Sequence, residues 1–112
     1  MSELSAHINI ARYLNAALGD RFFWTTIPAG GGGLIRGKQL KAKGYIAGVP
    51  DILLVKESRA YWIEIKVGKG TLSANQKTLL PILERHGMPT AICHDVYDVE
   101  GVLKKWGFLK NN

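Results

Sequence analysis

The sequence predicts an α/β fold, read along the chain as helix, three strands, helix, strand, helix. Three observations carry this reading. Apolar residues recur at helical spacing from Glu3 to Leu18. The apolar and aromatic runs Ile52–Val55 and Tyr61–Val67 stand either side of Glu57-Ser58-Arg59-Ala60 and read as a hairpin. A Ser73-x-x-Gln76 pattern then opens an apolar stretch, the start signature of a helix.

Each element has a local cause. Leu4, Ile8, Ala11, Leu14 and Leu18 form the stripe of the first helix, with Ser2 as its cap and Gly19 as its stop. Phe22–Ile27 is rich in aromatic and β-branched residues and reads as a strand closed by Pro28. Gly30–Gly33 has no local conformational preference, so a mobile segment is expected there. Arg36, Lys38, Lys41 and Lys43 follow with no acid among them, and read as a loose basic stretch able to wrap a phosphate backbone or simply to be solvated. Ile52–Val55 is apolar on both faces, as an interior strand is. The helix from about Ala74 to Arg85 contains Pro81, which predicts a kink or an early break. Gly87 closes it, Thr90–His94 reads as a strand and Val99–Trp106 as a last short helix.

Composition narrows the function classes. The 112 residues are expected to form one domain, residues 1–112, and at 46% hydrophobic and 21% charged they can bury one core. The lone Cys93 cannot form an internal disulfide and fits a reducing, cytoplasmic setting. No stretch approaches the roughly 18 apolar residues of a membrane span, and the N-terminus lacks a signal pattern. A net charge of +6 points to a polyanion or to plain solubility.

The chemistry is concentrated in Gly48-Val49-Pro50-Asp51 and Glu64-Ile65-Lys66. Strand residues alternate between faces, so Ile63, Ile65 and Val67 can enter a core while Trp62, Glu64 and Lys66 emerge opposite. Two carboxylates and one ammonium brought to one point suit a divalent cation and an activated water, the means of phosphodiester hydrolysis. Asp after Pro is also a common turn, and Glu-x-Lys a common solvated strand face. Gln76 divides in the same way: it is the partner of a capping box, or it reaches Glu64 and Lys66. His7, His86 and His94 stand apart with no cysteine cluster, which argues against zinc. No serine has a nearby histidine, and the glycine run lacks a following Gly-Lys-Ser/Thr, so neither a serine nucleophile nor a P-loop is indicated.

The ordered set Gly48-Val49-Pro50-Asp51, Ile63-Glu64-Ile65-Lys66, Leu72-Ser73-x-x-Gln76 and Gly87, with Glu3 and Tyr13-Leu14 on the first helix, resembles the VRR-NUC family of the PD-(D/E)XK nuclease superfamily. The resemblance covers almost the whole chain. It departs at His7, where the family often has Gln. It implies a nuclease core in the order αβββαβα, with a mixed central sheet and flanking helices, and a stand-alone phage or bacterial enzyme. It also implies Mg2+ or Mn2+ held by Asp51, Glu64 and the Ile65 carbonyl, with Glu3 completing the acidic cluster. Lys66 would then orient the attacking water and Gln76 the phosphate or the lysine. DNA, branched as in a four-way junction, would meet Arg36, Lys38, Lys41, Lys43, Lys69 and Lys77. The acting unit would be a homodimer; as apolar patches, Phe22–Ile27 and the last helix with Trp106 and Phe108 are the candidate pairing surfaces, and they read equally as residues that close the monomer's own core. Cleavage of flaps, ends or particular sequences, and binding without cleavage, are the alternative readings.

Overall fold

The computed structural model describes residues 2–28 and 33–110. Its elements are α1 (Glu3–Leu18), β1 (Phe23–Thr26), α2 (Gly33–Ala42), β2 (Ile52–Lys56), β3 (Arg59–Ile65), α3 (Ala74–Arg85), β4 (Thr90–Cys93) and α4 (Val96–Lys105). The four strands form one mixed sheet in the order β1-β2-β3-β4. β1, β2 and β3 are antiparallel in turn, and β4 runs parallel to β3 after the crossover through α3. β2 is interior, as its apolar faces predict.

One face of the sheet carries the core. Ile52, Leu54, Tyr61, Ile63, Ile65 and Cys93 pack against Ile10, Leu14 and Leu18 of α1 and Val99 and Leu103 of α4. Each fully buried aliphatic side chain contributes about 1.5–3 kcal/mol. The opposite face holds Glu64, which α3 reaches through Gln76. The hairpin parity is therefore as the sequence reads: Ile63 and Ile65 inward, Glu64 outward, beneath α3.

Local chemistry explains the departures from the sequence reading. The segment around Arg36, Lys38 and Lys41 is not loose: these residues lie on α2, and Lys43 lies just past its end. Leu, Arg, Lys, Gln and Ala are strong helix formers and together outweigh Gly37. The glycine run falls mostly outside the described residues, and Gly33 opens the helix. The hairpin turn is tighter than the four-residue link suggests. It consists of Glu57 and Ser58, at φ 51° and 65°, the mirror-image turn that matches strand twist. Val67 lies beyond β3.

α3 runs through Pro81 to Arg85 without a break. The residue losing its hydrogen-bond donor, Lys77, is on an exposed part of the helix, where water can serve its carbonyl. α4 begins at Val96 because Asp95 caps it, accepting from the Asp98 N–H at 2.9 Å. Trp106 and Phe108 do not form a free surface. Phe108 is 2% exposed, and it meets Phe22 and Tyr61 edge-on while Trp106 stacks obliquely on Tyr61, so these aromatics close the monomer's own core.

Candidate active site

Asp51 sits at the entry to β2. Pro50 before it is fully buried, and the backbone carbonyl of Asp51 accepts from Ile27 N–H at 2.9 Å, extending the β1–β2 ladder. Its side-chain Oδ2 then accepts from the Ile65 N–H at 2.8 Å. This bond crosses to the end of β3 and sets the aspartate beside the Glu64-Ile65-Lys66 segment.

Gly48 makes this approach possible. It has φ 94°, and a Cβ there would lie 2.7 Å from the Asn75 carbonyl carbon and 3.0 Å from Gln76 N. The chain before Asp51 thus lies directly on the first turn of α3. That turn is fixed by Ser73, whose hydroxyl accepts from Gln76 N–H at 3.2 Å, while Gln76 Oε1 accepts from Ser73 N–H at 2.8 Å. The remaining amide group of Gln76 donates through Nε2 to Glu64 Oε2 at 2.9 Å. Capping and contact with Glu64 are therefore not alternatives: one amide does both.

Glu64 is 3% exposed. Its two oxygens are treated differently. Oε2 takes the Gln76 bond and stands 3.4 Å from Lys66 Nζ. Oε1 is buried and accepts no hydrogen bond among the described residues, and the carboxyl stands close enough to Asp51 to share a proton with it. Burial, then the charge of Asp51, push the Glu64 carboxyl up to about 7, against the opposing pull of Lys66. A buried carboxylate with one oxygen unpaired is costly unless something else uses that oxygen.

Three further groups border the site. His7 Nε2 is 3.9 Å from Asp51 Oδ2 and 3.7 Å from Glu3 Oε1. The first helix thus reaches the aspartate through His7, while the two-thirds-exposed Glu3 side chain stands behind it. Tyr45 is the residue that sequence reading missed. Its hydroxyl is held above the ordinary phenol value by burial and then by the charges of Asp51 and Glu64, so it lies within electrostatic reach of both. The signal for it was Gly44, a helix-closing glycine that means little until α2 is known to be a helix. Lys69 and Lys77 are exposed on the loop after β3 and on α3. Trp62 shares the face of Glu64, but its indole N–H is buried rather than offered to solvent.

The donor set suits a hard divalent cation. Among the described residues no three His, Cys, Asp or Glu side chains gather at metal-holding spacing. Asp51 and Glu64 nevertheless present two neighbouring carboxyls, and among the described residues one buried oxygen of Glu64 has no hydrogen-bond donor. Magnesium needs no more than one or two carboxylates, because it keeps several waters.

A family model for the VRR-NUC domain matches residues 23–96. The matched segment contains Asp51, Glu64, Lys66 and Gln76, and leaves α1 with Glu3 and His7 outside it. Among solved structures, one described as a VRR_NUC domain protein aligns over 95% of this chain and 90% of its own, with a TM-score of 0.72 and 19% identity, a likeness of fold. No curated protein matches the chain. With a fitting fold and a match over most of its length, the chain belongs to the VRR-NUC family of nuclease-type domains.

Proposed function

We propose that the protein is a metal-dependent DNA endonuclease that hydrolyses phosphodiester bonds in branched DNA as a homodimer, with Asp51, Glu64 and Lys66 as its centre. The observation that carries this reading is Glu64: buried beside Asp51, oriented by Gln76 and Lys66 on one oxygen, and with no hydrogen-bond donor to the other among the described residues. A module that only bound DNA would gain nothing from burying a carboxylate in that state. An endonuclease gains a ligand oxygen held ready.

Magnesium or manganese, held by Asp51, Glu64 Oε1 and the Ile65 carbonyl, would supply Lewis acidity toward the phosphate and make an attacking water more acidic. The rest falls to the chain. Asp51, fixed by Ile65 N–H, and Glu64, fixed by Gln76, are positioned before any substrate arrives. Lys66 places its ammonium beside Glu64, where it would steady the attacking water and then face the charge developing on the phosphate. Arg36, Lys38, Lys41, Lys43, Lys69 and Lys77 lie on exposed surface and would meet the DNA backbone, displacing its counterions.

The reading of branched DNA and pairing is supported by symmetry. One small domain carries one such centre, and paired cuts at a four-way junction call for two related by a two-fold axis. With Phe108 buried and Trp106 packed on Tyr61, β1 is the stronger candidate surface. It is an edge strand and leaves Phe23 60% exposed. The test is a panel of linear, nicked, flap and four-way-junction DNA with either metal, beside sedimentation at micromolar concentration. A dimer making symmetric paired nicks in the junction is expected. A stable monomer, or preference for linear ends, flaps or one sequence, would refute the junction reading and leave the nuclease reading standing.

A further inference from the structure

A groove of about 370 Å3 runs between the segment after α2 and the flank of α3, and one of its lining residues, Tyr45, lies within electrostatic reach of Asp51 and Glu64. Lys41, Tyr45 and Ile46 line one side, and Asn75, Thr78 and Ile82 the other. Its shape is built in at both ends. At the end of α2, Gly44 takes φ 102°; its N–H bonds the Lys41 carbonyl, and the Tyr45 N–H reaches the Leu40 carbonyl. This is a Schellman closure, and it directs Tyr45 off the helix toward the site. At the other end, Gly48 seats the chain on Asn75.

The groove offers both apolar and polar surface, Ile46, Leu79 and Ile82 beside Lys41, Tyr45 and Asn75, as a nucleotide needs. Ile46 is 60% exposed and offers an apolar surface to a sugar or base. Among the described residues, neither the Lys41 ammonium nor the Tyr45 hydroxyl has a partner. Tyrosine suits a place beside two carboxylates. It donates a hydrogen bond without a charge, so Asp51 and Glu64 do not draw it into an ion pair as they would an arginine. A phenol is protonated at neutral pH, so the hydroxyl is available as a donor.

We infer that this groove seats the nucleotide adjoining the cut, with the Tyr45 hydroxyl and the Lys41 ammonium holding its phosphate and Ile46 its sugar or base. The inference rests on the nuclease reading and adds a substrate subsite to it. Tyr45 and Lys41 act here as binding residues for the flanking phosphate and take no part in bond breaking. Their contacts exist equally before and during the reaction, so their loss appears in KM.

The test is steady-state cleavage by wild type, Tyr45→Phe and Lys41→Gln, on DNA carrying single neutral methylphosphonates on either side of the cut. Tyr45→Phe keeps the ring, and Lys41→Gln changes an exposed helix position, so the two variants report independently of folding. Each should raise KM about tenfold, as for a lost hydrogen bond to a charged group, with kcat within about twofold. One methylphosphonate position should weaken wild type similarly and add little to the loss in either variant. Wild-type kinetics in both variants, a loss confined to kcat, or losses that multiply at every phosphate would overturn the subsite while wild-type cleavage upholds the nuclease. A wild type that cuts no DNA with magnesium or manganese would overturn both.

Discussion

Gln76 holds Glu64 through its Nε2 at 2.9 Å while its Oε1 closes the start of α3 on Ser73 at 2.8 Å. The same amide that begins the helix therefore fixes the most buried charge of the site. Removing the cap and removing the contact are separable. Ser73→Ala takes away one capping bond and should cost about 1 kcal/mol of stability with cleavage rate retained. Gln76→Ala takes away both and should slow single-turnover cleavage at least about tenfold, as for a lost bond to a charged group. Thermal melts beside single-turnover rates check the pair. Equal rate losses in the two variants would mean that helix integrity alone matters.

How much of this was legible in the sequence follows from which interactions are local. Ser73 and Gln76 were readable because a capping box is made within four residues, and the parity of Ile63, Glu64 and Ile65 because alternation is a property of one strand. The approach of Asp51 to Ile65 N–H spans fourteen residues and could be guessed only as a convergence. Tyr45 was unreadable because it depends on α2, whose weakly patterned basic sequence looks like a solvated loop. The aromatics after α4 read equally as surface or core, since nothing in their spacing shows that Phe22 and Tyr61 fold over Phe108.

Glu64 gives the metal-free protein a distinct pH dependence. Its folded carboxyl stands at about 7, against about 4.5 in the unfolded chain. The native state therefore holds this proton where the unfolded chain has released it. The associated stability is fully present below about 4.5 and is lost as pH rises through about 7. Asp98, lowered by its bonds from His94, acts in the opposite sense but on the acid side of the ordinary carboxylate range. Urea melts from pH 5 to pH 8 should thus show wild type losing stability, with Glu64→Gln flatter over that interval. Because a cation on Glu64 competes with the same proton, manganese affinity should rise across it, with proton release on binding. Affinity independent of pH there would remove Glu64 from the metal site.

Gly48 is needed for two separate reasons, its φ of 94° and the 2.7 Å approach to the Asn75 backbone. Gly48→Ala should destabilise by about 1–3 kcal/mol from backbone strain alone, before the clash is counted. Relief of the clash moves the Asp51 segment away from α3, so cleavage should fall along with the melting temperature. A variant with wild-type stability would show that the two segments are not held together as described.

If Asp51, Glu64 and Lys66 form one metal-dependent phosphodiesterase centre, Lys66 is the residue to remove, because it is half-buried and its ammonium has no lone pair to give a metal. The measurement is single-turnover cleavage of end-labelled DNA by wild type and Lys66→Ala, each with magnesium, with manganese and with excess chelator. Cleavage by wild type with either metal, none in chelator, and at least about a hundredfold loss in Lys66→Ala are predicted, the scale of removing one group that stabilises transition-state charge. Full activity in chelator, or Lys66→Ala cutting as fast as wild type, would rule out such a centre.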